Sequence, residues 1–593
     1  AAGNVSNASN VASVSIVAEA TPGTTMDCSI FQNNAQSTGL LTVVIPPRPA
    51  LGATYKDPVF GSCITRATDH VQRANLTAVH HYSQLQAWNS DQTMILLNNN
   101  DIIDAKTFKF LHTISFKWPA YGVTPRWSHT EPNVLYYIGS LQPNTVDPDG
   151  FNCPAGKNSL IKYNMTRVGD TITRTRELVY CFNEYASIDD HAGFQDFSDD
   201  GRYVPMVGVL ADGKSEAFAF DLVTKTKGPR MDIPPLPTTL LDWAAVTPSA
   251  KYMLVQYAAN GHGLYQGVDA FDRATGKYLG KVGLTTGHGD IAKGDDGKEY
   301  FIQANQANAY LMNEKGYILR ENIPNGVIFK SDGITLDIPA TEAQKTSVRL
   351  IDIGWFNGIH VSCRDMVHTG YCVVSTDGTR LDTDPWLPYR QEIVKVYLDS
   401  TADKPHFTRL AHSYTEQGYI NNAPYSECPI SAYWPQPHAS ISPDGSQVIF
   451  HSSWGKNCWS EDYILKWTDT ANSVSTPPVI PPAVDTTPPK IVSISTSSPD
   501  IATWKFNWTT DENATTNFSY GTSASFSNIV STLLGFNHSA TLTNLLQSTK
   551  YYYAISAKDS SGNIYNSPTY NFLTSASTPT PDNTAPTTPT SLS

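Results

Sequence analysis

Between about residues 51 and 468 one unit recurs seven times: an apolar or aromatic strand, a turn rich in Asp and Gly, and a second apolar strand. The copies are QAWNSDQTMILLNN, PRWSHTEPNVLYYIG, AGFQDFSDDGRYVPMVG, LDWAAVTPSAKYMLVQY, GDIAKGDDGKEYFIQA, HVSCRDMVHTGYCVVS and HASISPDGSQVIFHSS. Asp-Gly pairs supply the tight turn that joins antiparallel strands. The spacing runs from about 40 to about 75 residues, and its shorter values match a four-stranded propeller blade. Several copies continue into a third strand and another turn, as in EAFAFDLVTKTKG and GVDAFDRATGKYLG. The pattern predicts an all-β chain whose residues 51–468 form a seven-bladed β-propeller. A sandwich or β-helix with coincidental turns is the competing architecture.

Outside the repeats, residues 1–50 form a polar N-terminal extension. Residues 469–489 are rich in Pro, Thr and Val, a composition that disfavours helix and central strand and reads as a stiff linker. Residues 490–575 hold short strands separated by turns, the pattern of an immunoglobulin-like β-sandwich. Trp508, Tyr520-Gly521, Leu542, Leu545, the Tyr551–Tyr553 run and the Asp559–Asn563 turn resemble the fibronectin type III modules appended to many exported bacterial enzymes. That resemblance implies a spacer or surface-binding module. Residues 576–593 read as a second linker, leading to a possible further domain.

The formal charge of −13 argues against nucleic acid as a main partner, because phosphate binding needs a basic face. No apolar run is long enough to span a bilayer. The opening AAGNVSNASN reads as a mature N-terminus, and eight N-x-S/T sequons weakly support exposure. The eight cysteines contain no CxxC, so zinc knuckles and thioredoxin chemistry have no support. An even count in a chain that looks secreted points to disulfides. Pairing sequence neighbours gives Cys28–Cys63, Cys153–Cys181, Cys363–Cys372 and Cys428–Cys458, one of the many connectivities eight cysteines allow.

Four histidines stand near the first strand of a copy: His191, His288, His360 and His438; His80 and His81 precede the first copy. Strand propensity does not call for His, and a propeller gathers its inner strands around one channel. His288, His360 and His438 with Gln436 therefore form a candidate site on one mouth, able to hold a divalent metal through imidazole nitrogen and amide oxygen. The structural alternative is that each His ties neighbouring blades by hydrogen bonds.

DPVFGSCITRATDH and HHYSQLQAWNSDQTMILL resemble the opening blade of the oligogalacturonate-lyase group of seven-bladed, TolB-like propellers. GHGDIAKGDDGKEYFI and QPHASISPDGSQVIFHSSW are similar to that group's ligand-bearing blades. The resemblance implies a divalent cation, manganese or calcium, bound to a uronate carboxylate, and β-elimination of a uronic-acid polymer. It places His288 and His438 at ligand positions. Gln436 stands where the group has another His, Tyr433 where it has Gln, and Asp242 lies in the copy where it has a basic residue. In that chemistry the cation neutralises the carboxylate and a base, His81 or His191, removes the C5 proton. Trp88, Trp127, Trp243 and Trp434 are candidate sugar platforms, with Arg126 beside Trp127, although core packing between blades competes for each Trp. The chain also resembles exported bacterial propellers with PHASISPDG-like motifs, which carry no assigned role. Two readings follow: a secreted lyase-like enzyme acting on acidic polysaccharide, or a non-catalytic surface, matrix or filament component whose domains bind polysaccharide or cell-surface partners.

Overall fold

The computed structural model describes residues 26–38, 45–114, 124–140, 153, 158–189, 196–233, 236–237, 240–258, 265, 267–283, 288–304, 317–323, 347–354, 359–377, 388–415, 434–455, 457–468, 488–559 and 562–576. The chain divides into two units, 1–471 and 472–593. The one helix among the described residues is the short Gln32–Ala35.

The first unit is a seven-bladed β-propeller. Its sheets are antiparallel apart from the short parallel pairing of Thr77–Ala78 with Ser460–Lys466, and blades 1 to 6 follow chain order, so each copy of the repeat becomes the inner half of one blade. Blade 1 holds Met94–Leu96, Asp101–Asp104 and Phe110–Thr113, with Trp88 bridged to Ile95 on its inner side. Blade 2 runs from Arg126–Trp127 to Thr171–Cys181, and blade 3 from Ser187–Asp189 to Thr226–Arg230. Blade 4 comprises Leu241–Val246, Tyr252–Tyr257, Val268–Asp272 and Tyr278–Gly283. Blade 5 starts at Gly289–Lys293 and blade 6 at His360–Ser362. These strands read as near-continuous apolar runs because each sheet packs a neighbour on both faces; Met253, Leu254 and Val255 are all fully buried.

Blade 7 closes the ring with chain from both ends. Ser440–Ile441, Gln447–Ser452 and Ser460–Lys466 are its inner strands, and Cys63–Arg66 pairs with the last of them, followed outward by Thr54–Lys56. The described part of the polar lead packs here too. Ile30 N–H donates to Thr468 O at 3.0 Å, and Ile30 and Ala35 join the core around Tyr414 and Tyr463.

Disulfides join Cys28–Cys63, Cys153–Cys181 and Cys363–Cys372. Cys458 is also disulfide-bonded, whereas Cys428 lies outside the described residues, as do 469–487 and 577–593.

The second unit is a β-sandwich. Strands Ile491–Asp500, Thr503–Gly521, Asn528–Leu542 and Lys550–Asp559 carry most of it, and its core is aromatic: Phe506, Trp508, Phe518, Tyr553 and Phe572.

Candidate functional site

The repeat places His288 just before the inner strand of blade 5, His360 at the first residue of that of blade 6, and His438 two residues before that of blade 7. Equivalent positions on adjacent blades face one another across a short arc, so the three rings meet. His288 stacks on His360 at 4.6 Å between ring centres, and His360 on His438 at 3.9 Å. His438 has a left-handed backbone (φ 43°), a conformation uncommon outside glycine and often found at special sites. Two further rings extend the stack. His451, from the second strand of blade 7, lies 4.9 Å from His438, and His80 meets His451 edge-on at 4.4 Å. Tyr82 sets its ring edge-on to His288, His360 and His438 at 6.2, 5.3 and 5.1 Å. His80, His360, His438 and His451 are fully buried.

The segment 80–86 fills the axis beside this ladder. Gln84 donates to Gly289 O of blade 5. Gln86 Nε2 donates to Ile441 O of blade 7 at 3.2 Å, and its backbone N–H to Asp196 of the blade 3 repeat at 2.8 Å. Ser440 returns a hydroxyl to Leu85 O at 2.9 Å. One short stretch thus ties blades 3, 5 and 7 of the propeller together.

Burial acts on the charge of three of these rings and of His81. It pushes His438 and His451 well below the usual imidazole range, helped by the neighbouring histidines, and lowers His288 as well. His81 is brought down to about 3 by burial, with His80 and Arg126 adding repulsion. Neutral imidazoles are competent ligands, but ligands of one ion must converge within about 2.0–2.3 Å of a point. His360 and His438 instead present ring faces to each other, their planes differing by 25°. His360 also stands between His288 and His438. Among the described residues, His288, His360 and His438 are not a group whose donor atoms all lie within 4.8 Å of one another; Gln436 is half-buried, two residues before His438.

Two other groups bring three donor atoms within 4.8 Å of one another: His80, His451 and Asp462, and Asp69, His70 and Glu461. In the first, the atoms are already engaged. His80 Nδ1 meets Asp462 at 2.8 Å and its Nε2 meets His438 O at 3.0 Å, while His451 contacts Trp434 O and His80 O, each at 3.2 Å. In the second, Arg66 lies 2.8 Å from both Asp69 and Glu461 and supplies the positive charge.

The proposed bases and platforms fare as follows. His81 borders a cavity of about 10 Å³, room for a single water, with Gln86, Arg126 and Asp196. His191 and Tyr433 lie outside the described residues. Trp88 and Trp127 are corrected from sugar platforms to core residues: both are buried, and Trp127 Nε1 donates to Ala87 O at 3.1 Å. Trp243 is buried likewise and packs on Phe301. Trp434 is half-buried, its carbonyl taken by His451. Sequence reasoning missed His451, Asp462, Tyr82 and the two glutamines. The HHYSQLQ run, polar where a strand should be entering, carries Tyr82 and the two glutamines, whereas no pattern marks His451 or Asp462. It also missed the tie between blades 5 and 6, where buried Asp290 accepts from Cys363 N–H at 2.7 Å and from the Arg364 guanidinium.

Residues 483–574 match the family described as purple acid phosphatase, N-terminal domain. The comparison with curated proteins gives no match. Among solved structures, the β-propeller domain of the Trilobed protease from Pyrococcus furiosus is 8% identical, with 76% of this chain and 97% of that one covered, at a TM-score of 0.22. A fibronectin type III domain of human fibronectin type III domain containing protein 3 is 21% identical, covering 16% of this chain and 95% of its own, at 0.14. An uncharacterized protein from Listeria monocytogenes EGD-e is 9% identical over 62% of this chain and all of its own, at 0.28. A propeller joined to a fibronectin-like sandwich fits a binding or structural module.

Proposed function

We propose that this chain is a non-catalytic extracellular component, whose propeller and sandwich are rigid modules for binding a polysaccharide or matrix polymer. One observation carries the reading: the histidines gathered on the propeller axis stack ring on ring, with the 80–86 segment hydrogen-bonded between blades beside them. The 80–86 segment ties blades 3, 5 and 7 beside the stacked rings, and burial, which brings His81 down to about 3, disfavours it as the base for a C5 proton. The disulfides support an oxidising compartment.

The test is to incubate the purified protein with a panel of uronic-acid polymers, with and without added manganese or calcium. Absorbance at the unsaturated-uronate band and co-sedimentation with insoluble polymers are both followed. The expected result is retention on a polymer with flat absorbance. Absorbance that grows with time and is lost in His360→Ala would overturn the reading in favour of the lyase. Failure to sediment with any polysaccharide would remove that partner class.

A further inference from the structure

Blade 4 buries an amine against a carboxyl group. Lys281, in the strand Tyr278–Gly283, is the cross-strand partner of Asp269 in Val268–Asp272. Nζ lies 2.8 Å from Asp269 Oδ1, with the two side chains only 1% and 5% exposed. Tyr257, from the adjoining strand Tyr252–Tyr257, donates its hydroxyl to the other carboxyl oxygen at 2.6 Å. Nζ also sits 4.8 Å from the centre of the Tyr257 ring, against which Tyr265 packs edge-on at 5.7 Å.

Lysine and aspartate are rarely buried this deeply, and a buried ion pair often stabilises a fold no better than apolar side chains of the same size. Burial disfavours both charges. It lowers the Lys281 amine and raises the Asp269 carboxyl, each against the pull of the other. One proton moving along the 2.8 Å contact converts ammonium and carboxylate into amine and acid. Those are the two species that condense: an ammonium has no lone pair to offer, and a carboxylate resists attack.

We propose that Lys281 and Asp269 form an intramolecular isopeptide bond that staples the two outer strands of blade 4. The Nζ lone pair attacks Cγ. Oδ2 takes the developing negative charge and is stabilised by the Tyr257 hydroxyl, which burial keeps protonated. Oδ1 leaves as water, carrying its own proton and one from Nζ, and the amide nitrogen keeps the remaining hydrogen. Water is the sole by-product, so no oxidant, metal or co-reactant is needed. The sheet holds the partners in contact, which replaces an encounter between free molecules by a step within one chain. Unlike the disulfides, the link survives reductant.

The experiment is mass spectrometry on the full chain made in a non-glycosylating host. After reduction, the intact mass is expected to fall short of the sequence mass by one water. Trypsin acting on the denatured chain cuts after Arg273 and Lys277, between the two partners. The bond is then the only link between the arms, giving a branched peptide with Lys281 uncut. Asp269→Ala and Lys281→Arg are expected to restore the full mass, and Tyr257→Phe to leave a mixture of both. The wild-type digest decides even where a variant does not fold: full sequence mass with cleavage after Lys281 overturns the proposal.

Discussion

Arg66 grips Glu461 through two hydrogen bonds of 2.8 Å, although 395 positions separate them. The pair sits where the strand from the start of the propeller meets the strand from its end, and both side chains are almost fully buried. Glu461 also accepts the His70 backbone N–H at 2.9 Å. Glu461→Leu removes the two-pronged partner of Arg66 and leaves Asp69, 2.8 Å away, as its remaining counter-charge, a change expected to cost up to about 3–5 kcal/mol. Urea unfolding of the propeller transition measures it. The double variant Arg66→Met with Glu461→Leu should recover part of the loss, since the buried pair itself is replaced by apolar groups, while partly exposed Asp69 and His70 turn to solvent. A single variant as stable as the parent would show that the closure does not rest on this pair.

The histidine ladder predicts an acid-sensitive propeller. His81, His288, His438 and His451 all have folded values below the ordinary one. The unfolded chain therefore takes up protons first, at about pH 6.5. Their contribution is complete above that pH and is lost as pH falls through the window that ends, for His81, near 3. Each extra proton bound by the unfolded state removes about 1.4 kcal/mol per pH unit. His129 runs the other way: burial opposes its charge, but Asp196 raises its value, so its contribution is full below about pH 6.5 and fades only as pH rises, leaving the loss on the acid side uncompensated. Denaturation midpoints measured between neutral pH and pH 4.5 should fall steadily, and His438→Gln should flatten the dependence. A flat parent profile would refute the lowered values of these four histidines.

The seven blades were readable because each is written locally, as two apolar strands about a turn. The gathering of His288, His360 and His438 was readable for the same reason, since repeat position maps onto angle about the axis. Whether the rings converge or stack was not. That depends on the left-handed backbone at His438 and on the 80–86 segment crossing the axis, neither of which leaves a periodic trace. Trp88 and Trp127 were ambiguous for a related reason, because an aromatic residue on an inner strand reads alike whether it faces a ligand or the next blade. Asp269 and Lys281 escaped notice because charged residues on outer strands normally face solvent.

The Cys28–Cys63 disulfide should stabilise the same closure independently. It spans 35 residues and anchors the lead to the strand that carries Arg66. In the chain-entropy account a loop of that size contributes about 3–4 kcal/mol. The Cys28→Ser, Cys63→Ser double variant should lose that much stability in urea and expose residues 26–38 to limited proteolysis. Unchanged cleavage would indicate that the packing of Ile30 and Ala35 suffices on its own.

Trp508 tests the independence of the second unit. It is 1% exposed and packs on Phe518 at 5.4 Å and against the His538 ring at 5.8 Å, all within the sandwich. Truncation to Ala removes a large buried side chain and leaves a cavity, at a cost of about 3–5 kcal/mol. The chain divides into two compact units with separate cores, so the loss should fall on one of them. Calorimetry of the full chain should show the sandwich transition moving down or vanishing while the propeller transition stays in place. If both transitions shift together, the two units unfold as one cooperative body, and the sandwich is not the separate module proposed here.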